Sequence, residues 1–322
     1  MDALKLLHIP YDFGQSSSGV RDGHDQLIHQ GLLHRLSDFG AEIEIGDVEL
    51  RPRSSRPVSG RIKWARENSI ACRRISDTIA GMDLRESFLL NIGGDHGLGL
   101  GTVHGLLHHD PETVVVWADA HGDINTPGTS PTGNFHGMSL AFLLHAAQDP
   151  AFAWLTHRLK PQNLILFGAR DLDPGEEELI QRLGIQHYSS TAINQVGARD
   201  LLEIALAKAD PRGEKPIHLS FDVDFFDASD IAATGTRVLE GPRQEEVFLM
   251  GGALAETGRL LSMDIVELNP ELGSAAAVKA SGQLVLDFLS CTLGQIPHWP
   301  RLATSARLKP HEHDRYILHQ SA

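Results

Sequence analysis

The sequence predicts an α/β fold in which helices cover both faces of a mostly parallel β-sheet, and three observations lead to this prediction. Eight short apolar segments alternate with longer segments that have the periodicity of amphipathic helices. Two of the short segments, 114–117 and 164–167, are apolar at every position, as expected of strands buried on both sides. The composition, with 41% hydrophobic and 22% charged residues in a chain of 322, is typical of a globular protein.

The order of these segments predicts repeated strand-helix-strand units. We expect strands at 4–10, 42–45, 88–92, 113–118, 163–167, 185–188, 217–221 and 260–265. We expect helices at 26–36, 61–80, 138–147, 176–183, 198–209, 244–257 and 274–293. Such units have right-handed crossovers and parallel strands, and ligands bind beyond the carboxyl ends of those strands. Functional residues are therefore expected directly after the strands.

The overall charge and the cysteine content exclude some classes of protein. The formal net charge of −14 argues against a general nucleic-acid binder, which needs a basic surface. No apolar run approaches the ~20 residues that a membrane helix needs, and the first residues lack the pattern of a targeting segment. Two cysteines cannot form a disulfide framework, so we expect a reducing, cytoplasmic location. We also expect a single domain over 1–322, with a divergent tail from about residue 296.

Polar residues follow four of the predicted strands, at the point where each strand ends. The sequence GGDH follows the third strand, DAHGD the fourth and DVD the seventh, and a glutamate lies just past the eighth. Parallel strands bring these ends to one edge of the sheet. The residues that would meet there are His96, Asp119, His121, Asp123, Asp222, Asp224 and Glu267.

The spacing of these residues indicates a metal centre. In an extended D-x-H-x-D segment, Asp119, His121 and Asp123 would share one side of the strand, and Asp222 and Asp224 would do the same. Neither motif contains a basic residue, so the carboxylates would repel one another unless cations were bound. A single aspartate at a strand end is more often a helix cap or a turn former. The joint occurrence of these motifs predicts divalent-metal binding.

The same residues carry a resemblance to a known family. In chain order, the sequences GGDHGLGLG, WADAHGDINTP, TGNFHG, ARDLDPGE, SFDVDFFD, ATGT and MDIVELNP resemble the motif series of the arginases. Arginases belong to the ureohydrolase family, together with agmatinases and formimidoylglutamases. The resemblance runs from near residue 6 to near residue 273. It implies a three-layer α/β/α fold around a mostly parallel eight-stranded sheet, with a pair of Mn²⁺ ions.

The resemblance also implies a ligand set for each ion. One ion would be held by His96, Asp119, Asp123 and Asp222, and the other by His121, Asp119, Asp222 and Asp224, so that Asp119 and Asp222 bridge. Carboxylate and imidazole ligands without a thiolate suit Mn²⁺, with Co²⁺ as an alternative. Two ions ~3.5–4 Å apart can share one water and lower its pKa enough to supply hydroxide at neutral pH.

The chemistry implied by the resemblance is hydrolysis of a guanidinium group. A guanidinium carbon is a poor electrophile, and its pKa above ~12 means that it arrives protonated. Hydroxide from the metal centre would attack this carbon, and Glu267 would orient the cation. His136 matches the family's proton-shuttle position and would protonate the departing amine. With the ligand Asp123, these two residues form the predicted catalytic group.

Other residues would recognise the amino acid end of the substrate. Asp173 and Glu176 would accept hydrogen bonds from an α-ammonium, although the Asp-Pro-Gly sequence alone is more typical of a simple turn. Asn125, Thr132 and Asn134 would donate to an α-carboxylate. Thr236 resembles a position near the guanidinium. The leading hypothesis is therefore an arginase that converts L-arginine to L-ornithine and urea.

Several departures from the family pattern keep alternatives open. Phe225 and Phe226 replace smaller residues after Asp224, and a ring beside the second metal could favour a modified substrate such as hydroxyarginine. A catalytically silent, metal-binding regulator is a further alternative. The resemblance also implies a homo-oligomer, with trimers common in the family. Outside the motifs, His104, His108 and His109 lie on a predicted helix after the GGDH turn, where we expect them to be solvated.

Overall fold

The computed structural model describes residues 3–51 and 61–294. Within these residues, eight strands form one sheet in which every neighbouring pair is parallel. The strands are β1 (Ala3–Ile9), β2 (Glu42–Asp47), β3 (Ser87–Gly93), β4 (Val114–Ala118), β5 (Leu164–Gly168), β6 (Gln186–Ser189), β7 (Ile217–Asp222) and β8 (Leu260–Val266). Their order across the sheet is β2-β1-β3-β8-β7-β4-β5-β6. The predicted parallel sheet and all its predicted strands are confirmed.

Ten α-helices lie between or after these strands within the described residues. They are α1 (Gly23–His29), α2 (Leu32–Ser37), α3 (Ala65–Ala80), α4 (Gly99–His109), α5 (Ser139–Leu143), α6 (Pro174–Leu183), α7 (Ser190–Val196), α8 (Ala198–Ala209), α9 (Gln244–Glu256) and α10 (Ala275–Thr292). Short 3₁₀ turns supplement them, including His96–Leu98 after β3 and Val223–Phe225 after β7.

The helices bury a separate apolar core on each face of the sheet. On one face, Leu27 of α1, Leu254 of α9 and Val285 of α10 pack with strand residues such as Phe221. On the other face, the helices α3 to α6 contribute a second core that includes Trp117 of β4. Strand residues that are apolar on both sides can fill both cores at once, which is why β4 and β5 are buried at every position. The three-layer α/β/α arrangement is thereby confirmed.

The structure differs from the predicted helices at three places, and backbone geometry explains each one. The helix expected over 26–36 is divided into α1 and α2 at Gly31, whose φ of 98° interrupts a right-handed helix. The helix expected from residue 61 begins at Ala65, because the preceding Trp64 has a φ of 49°. The helix expected over 138–147 ends at Leu143, shortly before His145 with a φ of 55°.

The predicted solvation of the histidines on α4 is wrong for one of them. His108 and His109 are exposed, but His104 is 2% exposed. Its Nδ1 lies 2.7 Å from the Ser76 Oγ, and its Nε2 accepts a 3.1 Å hydrogen bond from the Thr156 backbone N–H. His104 therefore belongs to the core that α3 and α4 share.

The two remaining expectations concern the C-terminal tail and membrane-spanning helices. The tail predicted to diverge from about residue 296 lies outside the described residues. Among the helices of the described part, none has both the length and the apolar character required to cross a bilayer.

Candidate metal centre and active site

The strands that carry the predicted site residues are neighbours at the middle of the sheet, in the order β3, β8, β7, β4. His96 opens the turn after β3, and Glu267 follows β8 directly. Asp222 is the last residue of β7, and Asp119 follows β4. Because the strands are parallel, their carboxyl ends lie at one edge of the sheet, and all four side chains meet there.

The imidazole of His96 faces three carboxylates. Its Nδ1 lies 2.7 Å from Asp119 Oδ2, 3.2 Å from Asp123 Oδ2 and 3.3 Å from Asp222 Oδ2. Its Nε2 lies 2.9 Å from the Ser220 Oγ. A hydrogen bond on the far ring nitrogen fixes the orientation of a metal-binding histidine and leaves the near nitrogen free to ligate.

Packing holds this imidazole in place. The indole ring of Trp117 stacks on His96, with ring centroids 3.9 Å apart and an interplanar angle of 6°. The Trp117 Nε1–H donates a 3.2 Å hydrogen bond to Asp119 Oδ2. One buried residue of β4 therefore orients both a histidine and a carboxylate of the site.

A second group of the same kind is built around His121. Its Nδ1 lies 3.2 Å from Asp224 Oδ2 and 3.3 Å from Asp119 Oδ1. Asp224 in turn accepts a 3.0 Å hydrogen bond from the Thr236 hydroxyl. Asp119 thus uses one carboxylate oxygen towards His96 and the other towards His121, and it joins the two groups into one centre.

The electrostatics of this centre fit bound cations. All four aspartates are at most 5% exposed, and Asp123 Oδ2 has no hydrogen-bond donor among the described residues. Burial, together with the negative charge of the neighbouring Asp119, raises the pKa of Asp123 well above its usual range. Burial and the charge of Asp224 do the same to the pKa of Asp222. Divalent cations would remove both the repulsion and the missing hydrogen bond.

The side chains converge for a different reason from the one the sequence suggested. Strand β4 ends at Ala118, so Asp119, His121 and Asp123 do not lie on one side of an extended strand. The chain turns instead, with the His121 N–H donating a 2.7 Å hydrogen bond to Asp119 Oδ1 and Asp123 in the left-handed region at a φ of 50°. Strained backbone of this kind persists where the surrounding structure holds it, and it is frequent at functional sites.

The buried Glu267 and the partly buried His136 form a pair next to the centre. The His136 Nδ1 lies 3.0 Å from Glu267 Oε1, which also accepts a hydrogen bond from the His96 backbone N–H. Glu267 Oε2 accepts a 2.7 Å hydrogen bond from the Gln15 side chain. Burial alone would lower the pKa of His136, but the hydrogen bond and charge of Glu267 outweigh it and raise that pKa.

A cavity of about 200 Å³ opens beside the centre. It is bounded by the metal-facing residues His121, Asp123 and Asp222, by His136, and by six of the residues predicted to contact substrate. The predicted substrate residues on its wall are Asn125, Thr132, Asn134, Asp173, Glu176 and Thr236. Glu267 is 2% exposed and does not line this cavity. It contacts His136, which does line the cavity.

Part of the cavity lining consists of neutral hydrogen-bond donors. The Ser130 and Thr132 hydroxyl oxygens accept hydrogen bonds from the backbone N–H groups of Gly133 and Asn134, so each hydroxyl proton is left to donate. The Asn134 Oδ1 accepts a 2.9 Å hydrogen bond from Lys63 Nζ. Because an ammonium can only donate, this contact fixes the amide of Asn134 with its oxygen towards Lys63. The Asn134 Nδ2 is then the atom left to donate.

The cavity lining also includes carboxylates. Asp173 Oδ2 accepts a 2.8 Å hydrogen bond from the Asn125 side chain. Glu176 is 4% exposed, and its two oxygens accept hydrogen bonds from the backbone N–H groups of Ile124 and Asp173. Burial raises the pKa of Glu176 to about 7. Both oxygens of Glu176 are thus occupied in holding the cavity wall together.

Phe225 and Phe226, the residues expected to place a ring beside the second ion, are part of the buried core. Both side chains are fully buried, and neither lines the cavity. Phe225 packs over Gly168, where a Cβ would come within 2.2 Å of the ring, and Phe226 packs edge-on to Phe288. The aromatic pair therefore fills the core beneath the loop, and it gives no reason to expect an enlarged or modified substrate.

Sequence reasoning missed three residues that organise this site. Gln15 contacts Glu267, and Lys63 contacts Asn134. Arg170 is the third: its guanidinium donates to the backbone carbonyls of Asp224, Phe226 and Val238, and so anchors the loop that carries Asp224. Arg170 lies within a motif that the sequence did single out, but no spacing signal reveals a contact with carbonyl groups far along the chain.

A parallel sheet with buried carboxylates and two imidazoles gathered at its carboxyl edge, beside a polar cavity, defines a metal-dependent α/β hydrolase. Comparisons with known proteins narrow this class. The model of the Arginase family matches residues 3–291. The arginase of Glaciozyma antarctica (strain PI12) is 34% identical over 300 residues, which covers 90% of this chain and 87% of that protein.

Solved structures agree with the sequence comparison. The arginase of Entamoeba histolytica, in complex with L-ornithine, has a TM-score of 0.83 at 30% identity and covers 91% of this chain and 98% of its own. The arginase of Bacillus caldovelox has a TM-score of 0.84 at 30% identity, with 93% and 100% covered. The chain therefore belongs to the arginase family, and it is an enzyme of the amidinohydrolase type.

Proposed function

We propose that this enzyme is a binuclear manganese arginase that hydrolyses L-arginine to L-ornithine and urea. One observation carries the proposal. Two histidine-carboxylate groups share Asp119 beside a cavity that is lined by both carboxylates and neutral hydrogen-bond donors. A protonated guanidinium, an ammonium and a carboxylate on one small molecule match the groups around this cavity.

The residues that would hold the metals are those that face one another in the two groups. His96, Asp119 and Asp123 would hold one ion, His121, Asp119 and Asp224 the other, and Asp222 would contribute to both. Oxygen and imidazole donors without sulfur favour Mn²⁺, with Co²⁺ as the alternative. When bound, two such ions neutralise the carboxylates and lower the pKa of a shared water, which becomes a nucleophile at neutral pH.

The protein's own groups then orient the substrate and manage its protons. The hydrogen bond and charge of Glu267 raise the pKa of His136 and so favour the protonated imidazole, which could give a proton to the departing amine. The His136 Nδ1 lies 3.0 Å from the Glu267 carboxylate that supplies this negative charge. Glu267 would also orient the guanidinium once the His136 contact opens, and Thr236 would contact the same group from the Asp224 side.

The remaining predicted residues would distinguish an amino acid from a simple amine. The carboxylate of Asp173 would accept a hydrogen bond from the α-ammonium. The Asn125 side chain donates to this carboxylate, and the Asp173 backbone N–H donates to the Glu176 carboxylate, so Asp173 is held in place. Thr132 and Asn134, which also line the cavity, would donate to the α-carboxylate. A substrate that lacks either group loses hydrogen bonds and leaves buried partners unpaired, which is the usual basis of strong discrimination.

Location, domain structure and assembly are part of the same proposal. Cys72 and Cys291 are both free and buried, which is compatible with a reducing compartment such as the cytoplasm. A continuous sheet supports a single domain. A homo-oligomer, with the trimer as the first expectation, would have a mass in light scattering that is a multiple of the 35.2 kDa of one chain.

A substrate panel tests the proposal. Manganese-loaded enzyme is assayed for amine product from L-arginine, agmatine, hydroxyarginine and other guanidino acids. We expect kcat/KM for L-arginine to exceed that for agmatine by about 100-fold or more, because agmatine lacks the carboxylate. L-arginine among the poorest substrates would reject the arginase assignment. Manganese binding without turnover of any guanidine would support a silent, regulatory member instead.

A further inference from the structure

The cavity in which an anionic group must bind is lined by acidic residues. Its lining includes five carboxylates, which are Asp123, Asp171, Asp173, Glu176 and Asp222. Asp171 and Asp173 lie outside the proposed set of metal ligands, so bound ions would not neutralise them directly. Within the described part of the chain, no lysine or arginine lines the cavity. An α-carboxylate close to Asp171 and Asp173 would therefore meet an unfavourable potential unless a further cation lay nearby.

Lys63 is a cation in contact with Asn134, one of the neutral donors on the cavity wall. Its Nζ donates to Asn134 Oδ1 at 2.9 Å and to the Ser16 hydroxyl at 3.3 Å. Both acceptors are neutral, and in residues 3–51 and 61–294 the structure shows no carboxylate within ion-pair distance of Lys63. Its charge is therefore not neutralised by a described neighbour and acts on the cavity.

The backbone of Lys63 is built into the same wall as the donors. Its N–H donates a 2.9 Å hydrogen bond to the Gly133 carbonyl, inside the loop that carries Thr132 and Asn134. Its carbonyl accepts a 3.0 Å hydrogen bond from the fully buried Asn68 side chain. The next residue, Trp64, is 4% exposed and is held at a φ of 49°. A backbone fixed in this way gives Lys63 a defined position instead of a freely moving surface charge.

From this arrangement we infer that the charge of Lys63 determines substrate specificity. It favours guanidino compounds that carry a free carboxylate over analogues in which the carboxylate is replaced by a neutral group or is absent. Lys63 orients the Asn134 amide so that its Nδ2 donates into the cavity, and its own charge stabilises the bound anion through that amide. The inference rests on the proposed function, because it assumes that the substrate's carboxylate binds at Thr132 and Asn134. Lys63 is a positioning and specificity residue, with no part in the bond-breaking step.

The test compares L-arginine with L-argininamide, which differs from it by a neutral carboxamide in place of the carboxylate. Steady-state kinetics are measured on the manganese-loaded wild type and on Lys63→Met. Lys208→Met, which removes a lysine charge from the last turn of α8, is the matched control. We expect Lys63→Met to lower kcat/KM for L-arginine about tenfold, mainly through KM, because a nearby unit charge is lost from a partly desolvated site. The value for L-argininamide should change by less than about twofold.

Two further variants distinguish an effect of the Lys63 charge from an effect on the structure. The activity of the wild type distinguishes this inference from the proposed function. Lys63→Arg keeps the charge and should retain most of the preference for L-arginine, and Lys208→Met should leave both substrates unaffected. An equal loss for both substrates in Lys63→Met, or no loss for either, would overturn the inference while leaving arginase activity established. A wild type that releases no urea from L-arginine would instead overturn the proposed function, and the inference would fall with it.

Discussion

Two of the histidine clusters in the described part of the chain have opposite environments. His96 and His121 face aspartates at the carboxyl edge of the sheet. His104, His108 and His157 face one another on the helical face formed by α3 and α4, with no carboxylate in the group. Burial would lower the pKa of His96, but the hydrogen bond and charge of Asp119 raise it to about 9. Burial and the neighbouring imidazoles lower the pKa of His104 to about 3.

This difference shows that neighbouring groups decide what a histidine does. The carboxylates around His96 make a cation favourable at that position. His104 instead uses both nitrogens within the core: Nε2 accepts from the Thr156 N–H, so Nδ1 carries the proton and donates to Ser76. A neutral, fully hydrogen-bonded imidazole stabilises the packing of α4, and it has no free lone pair for a ligand.

The largest effect is expected where one carboxylate serves both groups of the metal centre. Asp119→Ala should remove both ions and reduce kcat/KM by roughly 1000-fold or more, since the activated water is lost with the metals. Metal content per chain and urea release measure the two effects together. Asp83→Ala, which removes an exposed aspartate paired with Arg85, is the control. Full activity in Asp119→Ala would show that the ligand assignment is wrong.

A substitution in the second cluster should affect stability alone. His104→Ala should lower the free energy of unfolding by about 2–3 kcal/mol, because it leaves a cavity and removes the hydrogen bonds of a buried ring. The metal content and the kcat of the folded fraction should remain those of the wild type. Chemical denaturation measures the loss, with the exposed His108→Ala as the control. Loss of the active-site metal in His104→Ala would contradict the separation of the two clusters.

The two clusters should also differ in their response to acid. The folded-state pKa of His104, about 3, lies below the usual histidine value of 6.5, so the unfolded chain binds this proton more tightly. The stabilisation is present above about pH 6.5 and is lost as the pH falls towards 3. His104→Gln cannot titrate and should show a shallower decline in stability over this range. Identical pH dependence in wild type and variant would contradict a neutral, buried His104.

A smaller effect sharpens the assignment of roles beside the metal centre. Glu267→Gln removes the charge that raises the pKa of His136, so that pKa should fall and the imidazole should be deprotonated at a lower pH. NMR titration of the His136 ring measures the shift directly, independently of turnover. An unchanged His136 titration would mean that another group holds its proton.

The sequence predicted the sheet better than it predicted the route of the chain through the site. Continuous apolar runs such as 114–117 can be buried only inside a covered sheet, so β4 and β5 were foreseeable from their composition. The convergence of Asp119 and Asp123 was foreseen, but the reason was not. Period-two alternation describes strands, whereas these residues are brought together by a turn with a left-handed Asp123.

The supporting residues were beyond sequence reasoning because their contacts are long-range. Lys63 meets Asn134 only because α3 begins beside the loop that carries it, and Arg170 meets the carbonyl of Val238 across a loop. The ring of Phe225 can pack in the core only because Gly168, the last residue of β5, has no side chain. Motif spacing carries no signal for partners of this kind, since tertiary packing alone sets them.

Metal analysis combined with anomalous diffraction on the purified wild type tests the central claim most directly. The account predicts two manganese ions per chain, one near His96 Nδ1 and one near His121 Nδ1, both within coordination distance of Asp119. An active enzyme with a single ion, or with ions bound away from Asp119, would contradict it.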